Sequence, residues 1–242
     1  MFFKLLPNEE SNIRLLWLHG WANTHINLLS LASLFPQYEN YLLDLAGFGQ
    51  TPLPKEAWST EDYANEVAKF LKNLPPKKTI IIGHSFGGRV GVRLAANPKN
   101  NIDGLVLVAG AGLKYRRSMM FKIYVKLVKT FSPILKTIFP FFKKIHFGCS
   151  DYKNSNGLLR EIYKKTIEEN LEEISKNIKC PTILVYGDKD TATPPYFGEI
   201  YNQNIPNSKL YILTNTNHYS LIMENNRQTQ NLIKRFLEEN FK

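Results

Sequence analysis

The chain has 242 residues, 43% of them apolar and 12% aromatic, which is enough to fill the core of one α/β domain and too apolar for a disordered segment. Its formal charge of +10 is concentrated: Lys114, Arg116, Arg117, Lys122, Lys126, Lys129, Lys136, Lys143 and Lys144 fall between Leu113 and Ile145, where no acidic residue occurs. One basic segment beside a nearly neutral remainder speaks against a nucleic-acid-binding surface and for a local contact. No apolar run approaches the length of a membrane-spanning helix, and Phe2–Leu6 is too short for a signal-peptide core. Two cysteines, Cys149 and Cys180, set no disulfide framework, which points to the cytoplasm.

In chain order, Phe2–Leu6 adds an edge strand. Leu15–Leu18 and Tyr41–Leu43 follow as strands. Ser59 or Thr60 caps a helix to Leu71, with Glu61 and Asp62 in its first turn and Ala64, Val67, Ala68 and Leu71 at helical spacing. Thr79–Ile82 is apolar on both faces, as a strand covered by helices on both sides requires. Phe86–Ala96 reads as a helix that ends before Pro98, and Leu105–Val108 as the next strand. Residues 113–177 then break the alternation with helical patterns interrupted by Pro133 and Pro140. They are expected to form an inserted cap over the carboxyl ends of the strands, where open α/β sheets bind ligands. Strands Thr182–Tyr186 and Leu210–Leu213 and a terminal helix, Leu221–Phe241, complete the order. The expected architecture is α/β, a mostly parallel sheet with helices on both faces. Residues 1–112 and 178–242 form its core, and 113–177 the helical cap.

Four short segments carry chemistry. Gly83-His84-Ser85-Phe86-Gly87-Gly88 lies between a strand and a helix. A tight turn there projects the Ser85 oxygen away from the sheet, glycines at 83 and 87 allow close backbone contact, and the Phe86 N–H stands at a helix start. Leu18-His19-Gly20-Trp21 ends a strand, and the Trp21 N–H is a second candidate donor to an oxyanion; the His19 side chain reads as a buried, hydrogen-bonded turn residue. Gly187-Asp188-Lys189-Asp190 and Asn217-His218-Tyr219 each follow a strand. A serine, a carboxylate and an imidazole at strand ends, in the order Ser85, Asp190, His218, suit nucleophilic acyl transfer. No His/Cys metal spacing and no phosphate-binding glycine loop occurs, so no metal or cofactor is expected.

On His19-Gly20-Trp21, Asp44–Thr51, Gly83–Gly88 and Gly187–Asp190 the chain resembles the α/β-hydrolase superfamily over nearly its whole length. Within it, the chain is similar to small bacterial carboxylesterases with a helical cap, a group that includes methyl ester esterases of carrier-protein-bound acids. The resemblance implies a serine hydrolase acting on a small-molecule ester, with Ser85 as nucleophile, His218 as base, Asp190 rather than Asp188 as the orienting acid, and Trp21 and Phe86 as the oxyanion hole. It gives Asp44 a structural role. A C–C lyase or peptidase on the same triad, or a ligand-binding homologue without turnover, are the alternatives. Arg89 is read as a structural ion pair, with an anionic-substrate contact, as in related lyases, as the alternative. The basic, apolar stretch Met119–Phe142 has four open readings: a lid lining an acyl pocket, an interfacial helix on an anionic membrane, a docking face for acyl carrier protein, or a packed cap with a solvated basic face. Cys149 reads as a buried apolar cysteine.

Overall fold

The computed structural model describes residues 1–115, 157–223 and 227–241. Seven strands form one sheet: β1 Phe3–Leu6, β2 Ile13–Leu18, β3 Glu39–Leu43, β4 Lys78–His84, β5 Gly104–Val108, β6 Thr182–Gly187 and β7 Ser208–Leu213. Their spatial order is β1-β3-β2-β4-β5-β6-β7, with β1 antiparallel to β3 and every other pair parallel. The order reverses between β2 and β4, the switch point where a doubly wound sheet opens a crevice at its carboxyl edge.

Side chains alternate across this sheet with the period of two that a strand imposes. Leu16, Leu18, Ile81, Leu105, Leu107, Leu184 and Tyr186 enter one core, which α2 (Thr60–Lys72), α3 (Phe86–Ala96) and α6 (Pro195–Asn204) cover. Leu15, Trp17, Ile80, Ile82, Val106, Val108, Ile183 and Val185 enter the other, covered by α1 (Ile26–Ala32) and α7 (Arg227–Asn240). Burial on both faces explains why these strands read as continuous apolar runs. Ser59 caps α2 in a reciprocal box with Asp62, each side chain bonding the other's backbone N–H.

Two departures from the sequence reading follow from local chemistry. The helix expected over Leu221–Phe241 is not continuous: Ser220–Ile222 forms one 3-10 turn, Met223 is extended (φ −70°, ψ 149°), and α7 starts at Arg227. Leu221 and Ile222 are buried with the α1/α7 core, so this turn packs inward as an element of its own. Helices α1 and α6 were not expected; both are short, and α6 opens on Pro195, whose fixed φ suits a first helical position. Of the segment expected to form a cap, only residues 113–115 and 157–177 are described, including α4 (Gly157–Glu168) and α5 (Glu172–Ser175). The expectations for Met119–Phe142 and for Cys149 lie outside the described residues.

Candidate active site

Ser85 stands between β4 and α3 with φ 51° and ψ −111°, a positive-φ conformation that a non-glycine residue adopts only where its surroundings enforce it. The turn is held by Ser85 N–H donating to the Val108 carbonyl (3.2 Å) and by Gly88 and Ala111 N–H donating to the Ser85 carbonyl (3.0 and 3.1 Å). A β-carbon on Gly83 would fall 2.6 Å from the Gly87 carbonyl oxygen, and one on Gly87 would collide with the Leu18 carbonyl. Strands β2 and β4 meet at Leu18 and Gly83, so the Gly20-Trp21 turn lies next to the serine turn. The Trp21 and Phe86 rings pack edge to face at 5.1 Å, and Phe86 is the first residue of α3, where N–H groups lack intrahelical acceptors.

Asp190 follows β6 and His218 follows β7, two strands paired through Gly187 and Leu213. Their loops are laced together by Asp188 N–H to the Leu213 carbonyl and Lys189 N–H to the Thr216 carbonyl, both 3.0 Å. His218 Nδ1 lies 2.7 Å from Asp190 Oδ2. Asp190 is 3% exposed and also accepts from the N–H groups of Ala192 and Thr193 and from the Thr193 hydroxyl, each at 2.8 Å. Burial alone would raise its carboxyl; the His218 hydrogen bond and charge, with the Thr193 bonds, outweigh burial and hold it below the usual carboxylate range. Asp188 is exposed instead and accepts from Thr216 N–H (3.2 Å). A carboxylate at Nδ1 fixes the proton there and leaves Nε2 as the lone-pair nitrogen.

Ser85 and His218 line one pocket together with Gly20, Trp21, Phe86 and Thr193. Among the described residues no hydrogen bond joins the Ser85 hydroxyl to His218; both groups border the same space. Tyr163, Thr166 and Ile167 of α4 add another wall, and Tyr163 packs on the Trp21 ring at 5.0 Å.

The neighbouring polar residues divide by role. His19 is fully buried, with Nδ1 2.7 Å from the Gly20 carbonyl and Nε2 accepting from Leu45 N–H at 3.0 Å. Burial pushes it down to about 4, so it is neutral with the proton on Nδ1 and serves as a turn residue. Asp44, fully buried, accepts from His25 N–H, His25 Nδ1 and Gln50 N–H at 2.7, 2.8 and 2.9 Å and organises its own loop. Arg89 corrects an expectation: it makes no ion pair among the described residues. Its guanidinium donates to the Thr166 carbonyl at 2.7 Å and the Glu169 carbonyl at 3.5 Å, where the end of α4 offers unpaired acceptors and negative dipole. It also borders the pocket, one helical turn from Phe86. The carboxylate pairing belongs to Arg93, which meets Glu169 at 3.0 Å.

Thr193 was not singled out in the sequence. Its one available signal was a hydroxyl three residues after an acid in a loop, a spacing that side-chain-to-backbone turns favour. The serine motif gives His84 no role of its own, yet its ring lies 4.8 Å from that of His218.

The sheet order, the serine turn and the Asp–His pair define a class, and the chain belongs to the alpha/beta hydrolase fold family, whose model matches residues 13–142. It is similar to the pimeloyl-[acyl-carrier protein] methyl ester esterase of Wigglesworthia glossinidia brevipalpis, at 25% identity over 237 residues covering 86% of this chain and 88% of that one. It is also similar to lipase 3 of Moraxella sp. strain TA144, at 26% identity over 265 residues covering 96% and 81%. Among solved structures, a lipase-esterase related protein from Clostridium acetobutylicum shares the fold with a TM-score of 0.72 at 22% identity, over 97% of this chain and 98% of that one. Among the described residues no helix is long and apolar enough to cross a membrane.

Proposed function

We propose that this chain is a serine hydrolase that cleaves a carboxylic ester through an acyl-enzyme. The observation that carries the reading is the 2.7 Å His218–Asp190 contact on a pocket that also presents Ser85 at its positive-φ turn. His218 Nε2 removes the proton as Ser85 Oγ attacks the ester carbonyl carbon. Asp190 holds the Nδ1–H tautomer and stabilises the imidazolium that forms. The Trp21 and Phe86 N–H groups receive the developing oxyanion, a contribution of about 3–4 kcal/mol for each such donor. Collapse of the tetrahedral adduct expels the alcohol, which takes the proton from His218. Water, activated by the same base, then releases the acid and restores Ser85.

Esterase and lipase relatives support an ester as substrate. The segment 113–177 serves as the cap in this reading, and its return helix α4 supplies part of the acyl or alcohol wall. A panel of p-nitrophenyl esters of rising acyl length tests the proposal: steady turnover abolished in Ser85→Ala supports it. A single burst of p-nitrophenol with no further turnover would identify a ligand-binding homologue instead.

A further inference from the structure

We propose that His84 is a positioning residue for this reaction, holding the base His218 beside Ser85 through a hydrogen bond to the base's own backbone carbonyl. The inference rests on the serine-hydrolase reading above.

His84 immediately precedes Ser85 at the end of β4 and is 1% exposed. Its Nε2 lies 3.1 Å from the His218 carbonyl oxygen. A carbonyl only accepts, so Nε2 carries the proton and Nδ1 is a bare acceptor. That Nδ1 is buried and has no hydrogen-bond partner among the described residues. Leaving a buried acceptor unpaired is unfavourable, and an apolar residue of similar shape would avoid it. The imidazole therefore brings something an apolar ring would not, and the donor at Nε2 is the group that differs.

The backbone before His218 is laced to the Asp190 loop, but the His218 ring itself is met only on its Nδ1 side, by Asp190 at 2.7 Å and the Thr193 hydroxyl at 3.3 Å. His84 adds a second point of restraint at the main chain of the same residue, and its ring packs on the imidazole at 4.8 Å with 43° between planes. It is keyed to the oxyanion turn as well, because a β-carbon on Gly20 would stand 3.0 Å from His84 Nδ1. One buried ring thus touches the turn that binds the oxyanion and the loop that carries the base, and it adjoins the nucleophile in sequence. Burial first, and then the neighbouring charge of His218, push His84 down to about 3. It stays neutral in the working range and does not compete for the serine proton.

The test compares His84→Phe, which keeps a ring but loses the donor, with His84→Gln, whose amide nitrogen can occupy the place of Nε2. Ser85→Ala is run in parallel on p-nitrophenyl butyrate. His84→Phe is expected to lower kcat by about 10- to 100-fold with KM changed by about twofold or less, and His84→Gln to recover about tenfold of that loss. Wild-type kcat in His84→Phe, or equal loss in both variants, would overturn the inference by showing a packing role alone. If His84→Phe does not fold, His84→Met against His84→Gln decides by the same comparison. Turnover by Ser85→Ala would instead refute the reading beneath it.

Discussion

Lowering the pH from about 7.5 to about 5 should cost this fold about 4 kcal/mol through the two histidines it buries uncharged. His19 is held at about 4 and His84 at about 3, chiefly by burial, whereas an unfolded histidine titrates at about 6.5. Both native values lie below the unfolded one, so between them the unfolded chain binds protons that the native chain refuses. Protonation then favours unfolding: the contribution is intact above about pH 7.5, declines below about 6.5, and levels off only near the native values. At about 1.36 kcal/mol per pH unit, each histidine accounts for about 2 kcal/mol at pH 5. The Asp44 and Asp190 carboxyls, both held low, contribute stability that is lost only as pH falls through their depressed values, below this window. Urea unfolding of wild type and His84→Gln at both pH values measures the effect. The wild-type drop should exceed the variant's by about 2 kcal/mol. Equal drops would refute the claim that His84 is buried neutral.

Two further outcomes follow from the site, and a third tests the charge pattern of the sequence. Asp190→Asn should lower kcat by about 10⁴-fold, as neutralising a triad carboxylate does, while the exposed Asp188→Asn should be mild; steady-state kinetics on one ester checks the ranking. Thr193→Val removes one charge-assisted bond to the buried Asp190 and keeps the side-chain shape, so kcat should fall by about tenfold and unfolding free energy by about 1.5–3 kcal/mol, read by steady-state kinetics and urea unfolding. Reversing Arg116, Arg117, Lys122 and Lys126 to Glu should spare a small neutral ester but slow hydrolysis of an ester carried by acyl carrier protein, an effect that high salt erases. Salt-independent, unchanged rates on both substrates would mark the basic segment as a solvated face.

The sheet was legible because its parallel strands are buried on both faces. In Thr79–Ile82, Ile80 and Ile82 enter one core and Ile81 the other, so a run such as this needs apolar residues at consecutive positions, and no exposed helix or loop does. Ser85, Asp190 and His218 were legible because each follows a strand at its carboxyl end, which brings distant residues to one edge. What the sequence did not give depends on contacts between elements. Arg89 looked like half of an ion pair, but helix-end carbonyls from α4 take its proton donors. Thr193 and His84 act on neighbours that only the folded loops supply. The break at Met223 was hidden because Leu221 and Ile222 are apolar, as a continuous helix would also require.

Everything proposed for this site depends on Ser85 being a nucleophile activated by His218. The most direct measurement is covalent labelling by a fluorophosphonate probe followed by peptide mass spectrometry. One modified serine, Ser85, is expected, with labelling abolished in Ser85→Ala and strongly slowed in a folded His218→Ala variant. Labelling at another serine, or ester turnover by folded Ser85→Ala at the wild-type rate, would contradict it.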